Sequence, residues 1–580
     1  MRNMTNDPRI VLVFPPIAGL LQPYLSLPAL AAFLRKHGCK HVFQKDINAE
    51  LFDLLLSENE LKAASSRAFG QFKSAKEEDK YSDLAEALFY APSAIKNIRE
   101  AKDFLKSKEH FYDQKKYKWA SGTVQKALKL ILREHYSYER RVNVPSIRTI
   151  RDFIENEGAN PLFDALKEKT VPSILKHNPD FVGISVSYHT QITQAFTLAK
   201  LIKQKNKNIH ICMGGGIISY LSSCLPKNSY FFSYVDTFII NEGEYALLEL
   251  IKRIGNKQGF AGIPNLIYYG GNNKIDNEDT FIRDIDSLPT PDFDGLNMGL
   301  YLSPEPVLPL LTSRGCYWGK CAFCSVPKST DRHYRPRKIQ LAIDDIAKLS
   351  KKFKARHFFF TDNAISPKRL QDISNQLIKR KLSIEWQTLA RFEKEFDTGL
   401  CRLLAKTGCR KLSFGLESVC PRVLKLMEKG TDFKTIKSVL KNIGDQRICA
   451  DFQFFTGFPT ESEKEARRTI NFALSRYGKN TSVSFNGPFQ LFESTKIFAS
   501  PDKYGITKIH KKNKDNILLN HKYDAVGGMD TSVRDDLVFS VRKKICNLDD
   551  RFQFIMYPSP NFNAHTLLYA SYNYNKKDGR

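Results

Sequence analysis

The sequence predicts an α/β protein made of two successive βα series. The first is a doubly wound, Rossmann-like domain with a helical insertion; the second is a partial (β/α)6 TIM barrel followed by a small C-terminal α/β cap. Three observations predict this. Near-continuous apolar runs of strand length recur along the chain, the pattern of parallel strands buried on both faces. Apolar residues at helical spacing separate them. The alternation breaks once, over residues 51–175, where Lys, Ala, Glu and Leu dominate and strand-like runs are few.

The first series opens with RIVLVFPP (9–16), a strand that the proline pair ends. A helix follows through Leu25, Leu27, Leu30, Phe33 and Leu34, and Gly38 closes it. HVFQKDIN (41–48) is the next strand. After the insertion come PDFVGISVS (179–187), a helix over Ala195, Leu198, Ala199 and Ile202, then IHICMGGG (209–216) and VDTFIINEGE (235–244). Residues 1–50 and 176–270 therefore form one doubly wound domain. Ligands of such sheets lie beyond the carboxyl ends of the strands. Asn48, Ser185, Ser187, Gly214, Gly215 and Gly216 stand at such ends.

Residues 271–305 contain GGNNK and LPTPDFDG and read as a linker. The second series occupies 306–495. Its strands are PVLPLLTS (306–313), RHFFFTDN (356–363), SIEWQTLAR (383–391), KLSFGLES (411–418), ADFQFFTG (450–457) and SVSFNGPFQLF (482–492). Six repeats are too few for a closed eight-fold barrel, so the barrel is open. Its functional residues belong at the strand carboxyl ends. Residues 496–580 are less regular and are expected to cap the barrel mouth.

The chain has 580 residues, 42% hydrophobic and 26% charged, a globular composition. The net charge of +27 suits nucleic acid, an acidic peptide or a phosphate-bearing cofactor. The lysines are spread rather than gathered, which favours a generally lysine-rich surface. No apolar run approaches the roughly 18 residues of a membrane helix. IVLVF runs into Pro15 and Pro16 and reads as a strand, not a signal peptide. A cytoplasmic protein with reduced thiols is expected.

RGCYWGKCAFC (314–324) places Cys316, Cys321 and Cys324 in one short loop directly after the first barrel strand. Three cysteines leave one over from a disulfide, and a structural zinc site usually takes four ligands. Three thiolates suit an iron–sulfur cluster with one iron left open to a substrate or second cofactor. Phe323 could pack on the cluster or on an adenine, and Tyr317 and Trp318 could shield it. The other eight of the 11 cysteines are scattered and read as packing thiols.

TSRGCYWGKCAFC after a barrel strand resembles the cluster motif of the radical S-adenosylmethionine (SAM) superfamily. The usual spacing there is C-x3-C-x2-C; here it is C-x4-C-x2-C. The resemblance implies a [4Fe-4S] cluster on the three cysteines. Its open iron would chelate SAM, and electron transfer would release a 5′-deoxyadenosyl radical. FFFTDNAIS, FGLESVCPRVLKLMEKG and FFTGFPTES resemble later segments of the same family. They imply SAM contacts from Asp362, Asn363, Glu417, Ser418 and Gly457, beside Phe323 and Arg391. Taken singly, Glu417 and Arg391 could be rim salt bridges and Gly457 a turn glycine.

The first domain resembles the cobalamin (B12)-binding domain that precedes the barrel in one branch of that superfamily. The resembling stretches include PPIAGLLQPYLSLPALAAFLRKHG, KDIN, MGGG and VDTFIINEGE. They imply cobalamin contacts from Asn48, Ser185, Ser187, Gly214, Gly215, Gly216, Glu242 and Gly243. The D-x-H-x-x-G signature is absent, with KDINAEL in its place, so no protein histidine is expected on cobalt. An ordinary nucleotide-binding α/β domain, or a cofactor-free remnant, is the other reading.

The resemblance implies a cobalamin-dependent radical SAM enzyme that methylates an unactivated carbon of a peptide or natural product. A cyclisation or rearrangement with the same cofactors is the alternative. A non-catalytic Fe–S scaffold and a tRNA methylthiotransferase rank lower; the latter branch carries a second three-cysteine set, which Cys39, Cys212 and Cys224 do not form. Implied partners are the substrate and an electron donor such as flavodoxin or ferredoxin, with neither membrane nor nucleic acid expected. No general acid or base is assigned.

Overall fold

The computed structural model describes residues 7–74, 78–132, 146–222, 229–270, 273–326, 333–475, 481–511, 517, 520–547 and 564–577. Cys224 lies outside them, as do parts of the insertion and tail.

The first sheet has seven strands: β1 (Ile10–Phe14), β2 (Val42–Asp46), β3 (Phe181–Ser185), β4 (His210–Gly214), β5 (Thr237–Ile239), β6 (Leu266–Gly270) and β7 (Asn273–Asp276). Their spatial order is β2-β1-β3-β4-β5-β6-β7. β1 to β5 pair in parallel. β1 is buried along its whole length, which is why its sequence is apolar throughout. β6 and β7 pair antiparallel at the edge. Residues 273–276, expected as linker, are thus an edge strand. Polar NKID shows little apolar pattern, and an edge strand with one neighbour needs little.

The insertion is helical, with helices at Glu58–Ser74, Glu78–Lys106 and Gln114–Leu132. Its buried face joins the core on one side of the first sheet, together with Leu567, Leu568 and Tyr569 near the C-terminus.

The second sheet begins with β8 (Val307–Leu310). A two-residue ribbon follows, β9 (Ser313–Arg314) against β10 (Arg335–Pro336). Then come β11 (His357–Phe360), β12 (Glu385–Ala390), β13 (Cys409–Glu417), β14 (Cys449–Thr456) and β15 (Thr481–Pro488). Six strands pair in parallel in the order β15-β14-β13-β12-β11-β8, with β8 and β15 at the open edges. Amphipathic helices such as Ile339–Phe353 and Pro367–Lys379 link them and cover the outer face.

The tail divides. Residues 491–509 pack against the cysteine loop: Ile497 N–H donates to Ala322 O at 3.1 Å, and Lys496 Nζ to Lys320 O at 2.9 Å. The helix Ala564–Lys577 does not cap the mouth. It sits at the opposite end, where Thr566 Oγ1 accepts from Lys411 Nζ at 2.9 Å and Asn575 Nδ2 donates to Glu385 at 3.0 Å. Glu385 opens β12 and Lys411 lies early in β13, so this helix is the barrel floor. The expectation of a single mouth cap is corrected in this respect. Apolar residues in a helix predict that it is buried, not which end of a barrel it buries. No described helix is long and apolar enough to cross a membrane.

Candidate functional site at the junction of the two sheets

The carboxyl ends of both sheets face one another across a cleft. Two cavities occupy it and share Leu25, Ser26 and Asn363 in their walls.

The cysteine loop leaves β9 through Gly315 and turns again at Gly319, both at positive φ (86° and 61°) that glycine adopts freely. Cys316, Cys321 and Cys324 are half-buried free thiols. Cys324 N–H donates to Cys321 O at 3.3 Å, and Ala322 N–H to Met427 O at 2.9 Å. Burial raises the Cys324 thiol to about 11, and the other two cysteines add to the rise. The three sulfurs therefore feel one another. Among the described residues, no three His, Cys, Asp or Glu side chains close around a single metal ion. A [4Fe-4S] cluster takes one thiolate per iron, four in an ordinary site, so three cysteines would leave one iron open. The three free cysteines of the loop match that count.

Around the loop, Tyr317 OH donates to Glu393 at 2.6 Å and Trp318 Nε1 to Glu428 O at 3.0 Å. Arg391 is buried, its guanidinium 4.3 Å from the Trp318 ring centre. Lys429, to which the sequence assigns no role, is a node. Its Nζ donates to Glu417 at 2.9 Å, and its carbonyl accepts from Arg391 Nη2 at 2.6 Å. The same Nζ lies 5.6 Å from the Phe323 ring centre. Phe323, Arg391 and Glu417 are thus gathered beside the cysteines. Glu417 has φ +54°, at an irregularity in the β13–β14 ladder that re-aims its side chain.

Several other expected SAM contacts also serve the fold. The Asp362 carboxylate is fully buried and accepts from Thr312 N–H and Oγ1, both at 2.9 Å, and from Ser313 Oγ. It fixes the chain leading into the cysteine loop, and the residue also lines one of the two cavities. Ser418 Oγ is spent on Cys420 N–H (3.1 Å) and Thr469 Oγ1 (3.2 Å). Asn363 is exposed and lines both cavities. Gly457 has φ +78°; its N–H donates to Glu461 at 2.7 Å, and Tyr523 OH donates to its carbonyl at 3.2 Å. Burial raises Glu461 to about 7.

A cavity of roughly 380 Å³ opens over β3, β4 and β5. Ser185, Gly214, Gly215, Glu242 and Gly243 line it as expected, with Ser313, Arg314 and Gly315 from the barrel side. None of its lining residues is histidine. Gly215 has φ +111°, and a Cβ there would lie 2.4 Å from Val186 O; one on Gly214 would lie 3.0 Å from Ile239 O. Both missing Cβ positions face backbone, so glycine lets the strand ends pack closely here and no side chain stands over them at these two positions, which suits a cofactor lying against backbone.

Three expected contacts lie elsewhere. Ser187 lines the neighbouring cavity of roughly 340 Å³. Gly216 lines neither cavity. Asn48 is fully buried; its Oδ1 accepts from Ala18 N–H at 2.8 Å and its Nδ2 donates to Gly19 O at 3.1 Å, clamping the loop after β1. Glu242 lines the cavity, but its carboxylate holds Arg335 at 2.7 Å and Arg314 at 3.2 Å. Arg314 and Arg335 had no sequence signal beyond Arg314's place in the cysteine motif.

A cysteine loop on a partial barrel beside a doubly wound domain with a glycine-floored cavity defines a two-module cofactor protein. The comparisons make it specific: residues 310–473 match the Radical SAM superfamily and residues 147–251 match the B12 binding domain. The chain therefore carries a radical SAM domain and a B12-binding domain. The B12 match opens inside the stretch read as insertion, while β1 and β2 complete the same sheet from outside it. An uncharacterized methyltransferase of Pyrococcus horikoshii is 28% identical over 305 residues, 52% of this chain and 65% of that one. The cobalamin-dependent SAM radical enzyme OxsB shares the fold with TM-score 0.57 and 16% identity, over 91% of this chain and 65% of its own. The radical SAM methyltransferase TsrM from Kitasatospora setae does so with TM-score 0.53 and 15% identity, over 85% and 74%. The chain thus spans about two thirds of the first of these relatives.

Proposed function

We propose that this chain is a cobalamin-dependent radical SAM enzyme that methylates an unactivated carbon of a peptide or natural-product substrate. One observation carries the reading. Ser313, Arg314 and Gly315 line the glycine-floored cavity, and the next residue is Cys316. Two cofactor sites thereby share one wall.

In this reading Cys316, Cys321 and Cys324 hold a [4Fe-4S] cluster. Phe323, Asn363, Glu417 and Gly457 hold SAM, and Ser185, Gly214, Gly215 and Gly243 hold cobalamin. Bound together, these cofactors supply reductive SAM cleavage, hydrogen abstraction and a transferable methyl group. The protein positions them: Asp362 and Asn48 stiffen the loops between them, and Trp318 and Tyr317 keep water from the cysteines. Residues 1–50 and 176–270 form the cobalamin module and 306–495 the SAM module. The insertion and the part of the tail that packs on the cysteine loop frame the substrate's entrance. A one-electron donor such as flavodoxin or ferredoxin in a reducing cytoplasm completes the system; nucleic acid is not among the proposed partners.

The test is anaerobic reconstitution of the full chain, with assays for iron, for 5′-deoxyadenosine and for transfer of a labelled methyl group. The cluster should vanish when all three cysteines become alanine. A cluster that survives that change refutes the reading. Deoxyadenosine without methyl transfer would point to a rearrangement instead.

A further inference from the structure

Arg391 stands where the family resemblance implies a partner for the SAM carboxylate, yet its donors are already in use. Nε donates to Glu393 Oε1 at 3.2 Å and Nη2 to Lys429 O at 2.6 Å. Nη1 points at Cys321 Sγ, 3.8 Å away. The Trp318 indole stacks over the guanidinium at 4.3 Å and is itself pinned by Glu428 O. Gly430 leaves room for that indole: a Cβ there would lie 2.1 Å from the ring. The arginine is 6% exposed, so its orientation is fixed on every side.

We propose that Arg391 is a positioning residue that sets the reduction potential of the cluster by donating a hydrogen bond to the Cys321 sulfur and holding a permanent positive charge beside it. The proposal rests on the three cysteines being cluster ligands. Hydrogen bonds to ligand sulfurs, net charge and solvent exclusion are the protein's means of tuning such a cluster. Arg391 supplies the first two, and Trp318, clamped over it, supplies the third. Arginine keeps its charge at every accessible pH, so the effect is fixed rather than switched. The step concerned takes one electron into the oxidised cluster from a one-electron reductant; no bond to Arg391 forms or breaks. The negative charge that reduction would add lies beside the guanidinium, whose positive charge would stabilise it. Glu393, on the far side of Arg391, partly offsets that charge.

The experiment is a redox titration of the reconstituted full-length protein with dithionite, followed by electron paramagnetic resonance, with and without SAM. Variants are Arg391→Gln, Arg391→Lys and Glu393→Gln, each compared at equal iron content. Arg391→Gln should lower the midpoint, so that at the wild-type midpoint the reduced-to-oxidised ratio falls about tenfold, equal to about 59 mV for one electron. Arg391→Lys keeps the charge and loses the fork, and should recover part of the shift. Glu393→Gln should move the midpoint the opposite way, and it keeps the question decidable if Arg391→Gln does not fold. Unchanged midpoints, or a shift seen only when SAM is present, would overturn the proposal; the latter would return Arg391 to the SAM carboxylate. A wild-type protein that takes up no cluster would instead refute the proposed function beneath it.

Discussion

The guanidinium of Arg314, two residues before Cys316, lies 3.2 Å from the carboxylate of Glu242, just beyond the last parallel strand of the first sheet. Arg314 also pairs with Glu244, and Arg335 donates to both Glu242 oxygens at 2.7 and 2.9 Å. Burial alone would raise Glu242; the Arg335 hydrogen bond and the Arg314 charge outweigh it and hold the group below its ordinary value. The cysteine loop and the glycine-floored cavity are therefore joined by buried ion pairs. Arg314→Met leaves Glu244 buried without its partner, and breaking such a pair costs about 3–5 kcal/mol. The urea midpoint should fall accordingly. Iron and cobalamin retention, measured on the same preparation, should fall together.

Gly215 carries the second prediction. Gly215→Ala forces a Cβ toward Val186 O at 2.4 Å in a backbone region that L side chains rarely adopt. The strain is of order 1–3 kcal/mol, and relieving it must move the strand ends under the cavity. Cobalamin retention, read by visible absorbance, should be lost while the cluster absorbance persists. At Gly216, where φ is not positive and a Cβ meets nothing within 4 Å, the alanine variant should stay within about 0.5 kcal/mol of wild type.

The parallel strands, the open barrel and the cysteine loop are legible because apolar runs and close cysteine spacing are local signals. Side-chain commitments are not. Asn48, Asp362 and Ser418 stand at strand ends, where a polar residue can serve either a ligand or its own loop. Spacing does not distinguish the two; the partners that do, Ala18, Thr312 and Thr469, are 30, 50 and 51 residues away. Lys429 lies in the segment FGLESVCPRVLKLMEKG, and its role arises only in the fold, where Glu417, Phe323 and Arg391 close around it.

The barrel floor yields a third prediction. Leu568 is fully buried in the core shared by the insertion and the first sheet, and His565 Nε2 pairs with Leu302 O at 2.6 Å. Leu568→Ala should cost about 2–5 kcal/mol, read as a lowered denaturation midpoint. Because this helix lies at the opposite end from the cysteines, iron per folded molecule should not change. A loss of iron without a loss of stability would place the helix at the mouth instead.

Glu461 gives the fourth, a pH dependence. Burial raises its carboxyl from 4.5 to about 7, despite the hydrogen bond from Gly457 N–H. The folded state then binds this proton more tightly than the unfolded chain does. Its contribution is fully present below pH 4.5 and is lost as pH rises through 7, so stability from this group falls across that window. Full loss is at most on the order of 3 kcal/mol. Glu461→Gln keeps an acceptor for Gly457 N–H and cannot ionise. The wild-type-minus-variant stability, taken from urea midpoints between pH 4.5 and 7.5, should therefore decline as pH rises. A flat difference would mean that Glu461 is ionised in the fold throughout, with a cation or water beside it. Differencing against the variant also removes Asp46, which burial raises to about 6 and which would otherwise slope the same way.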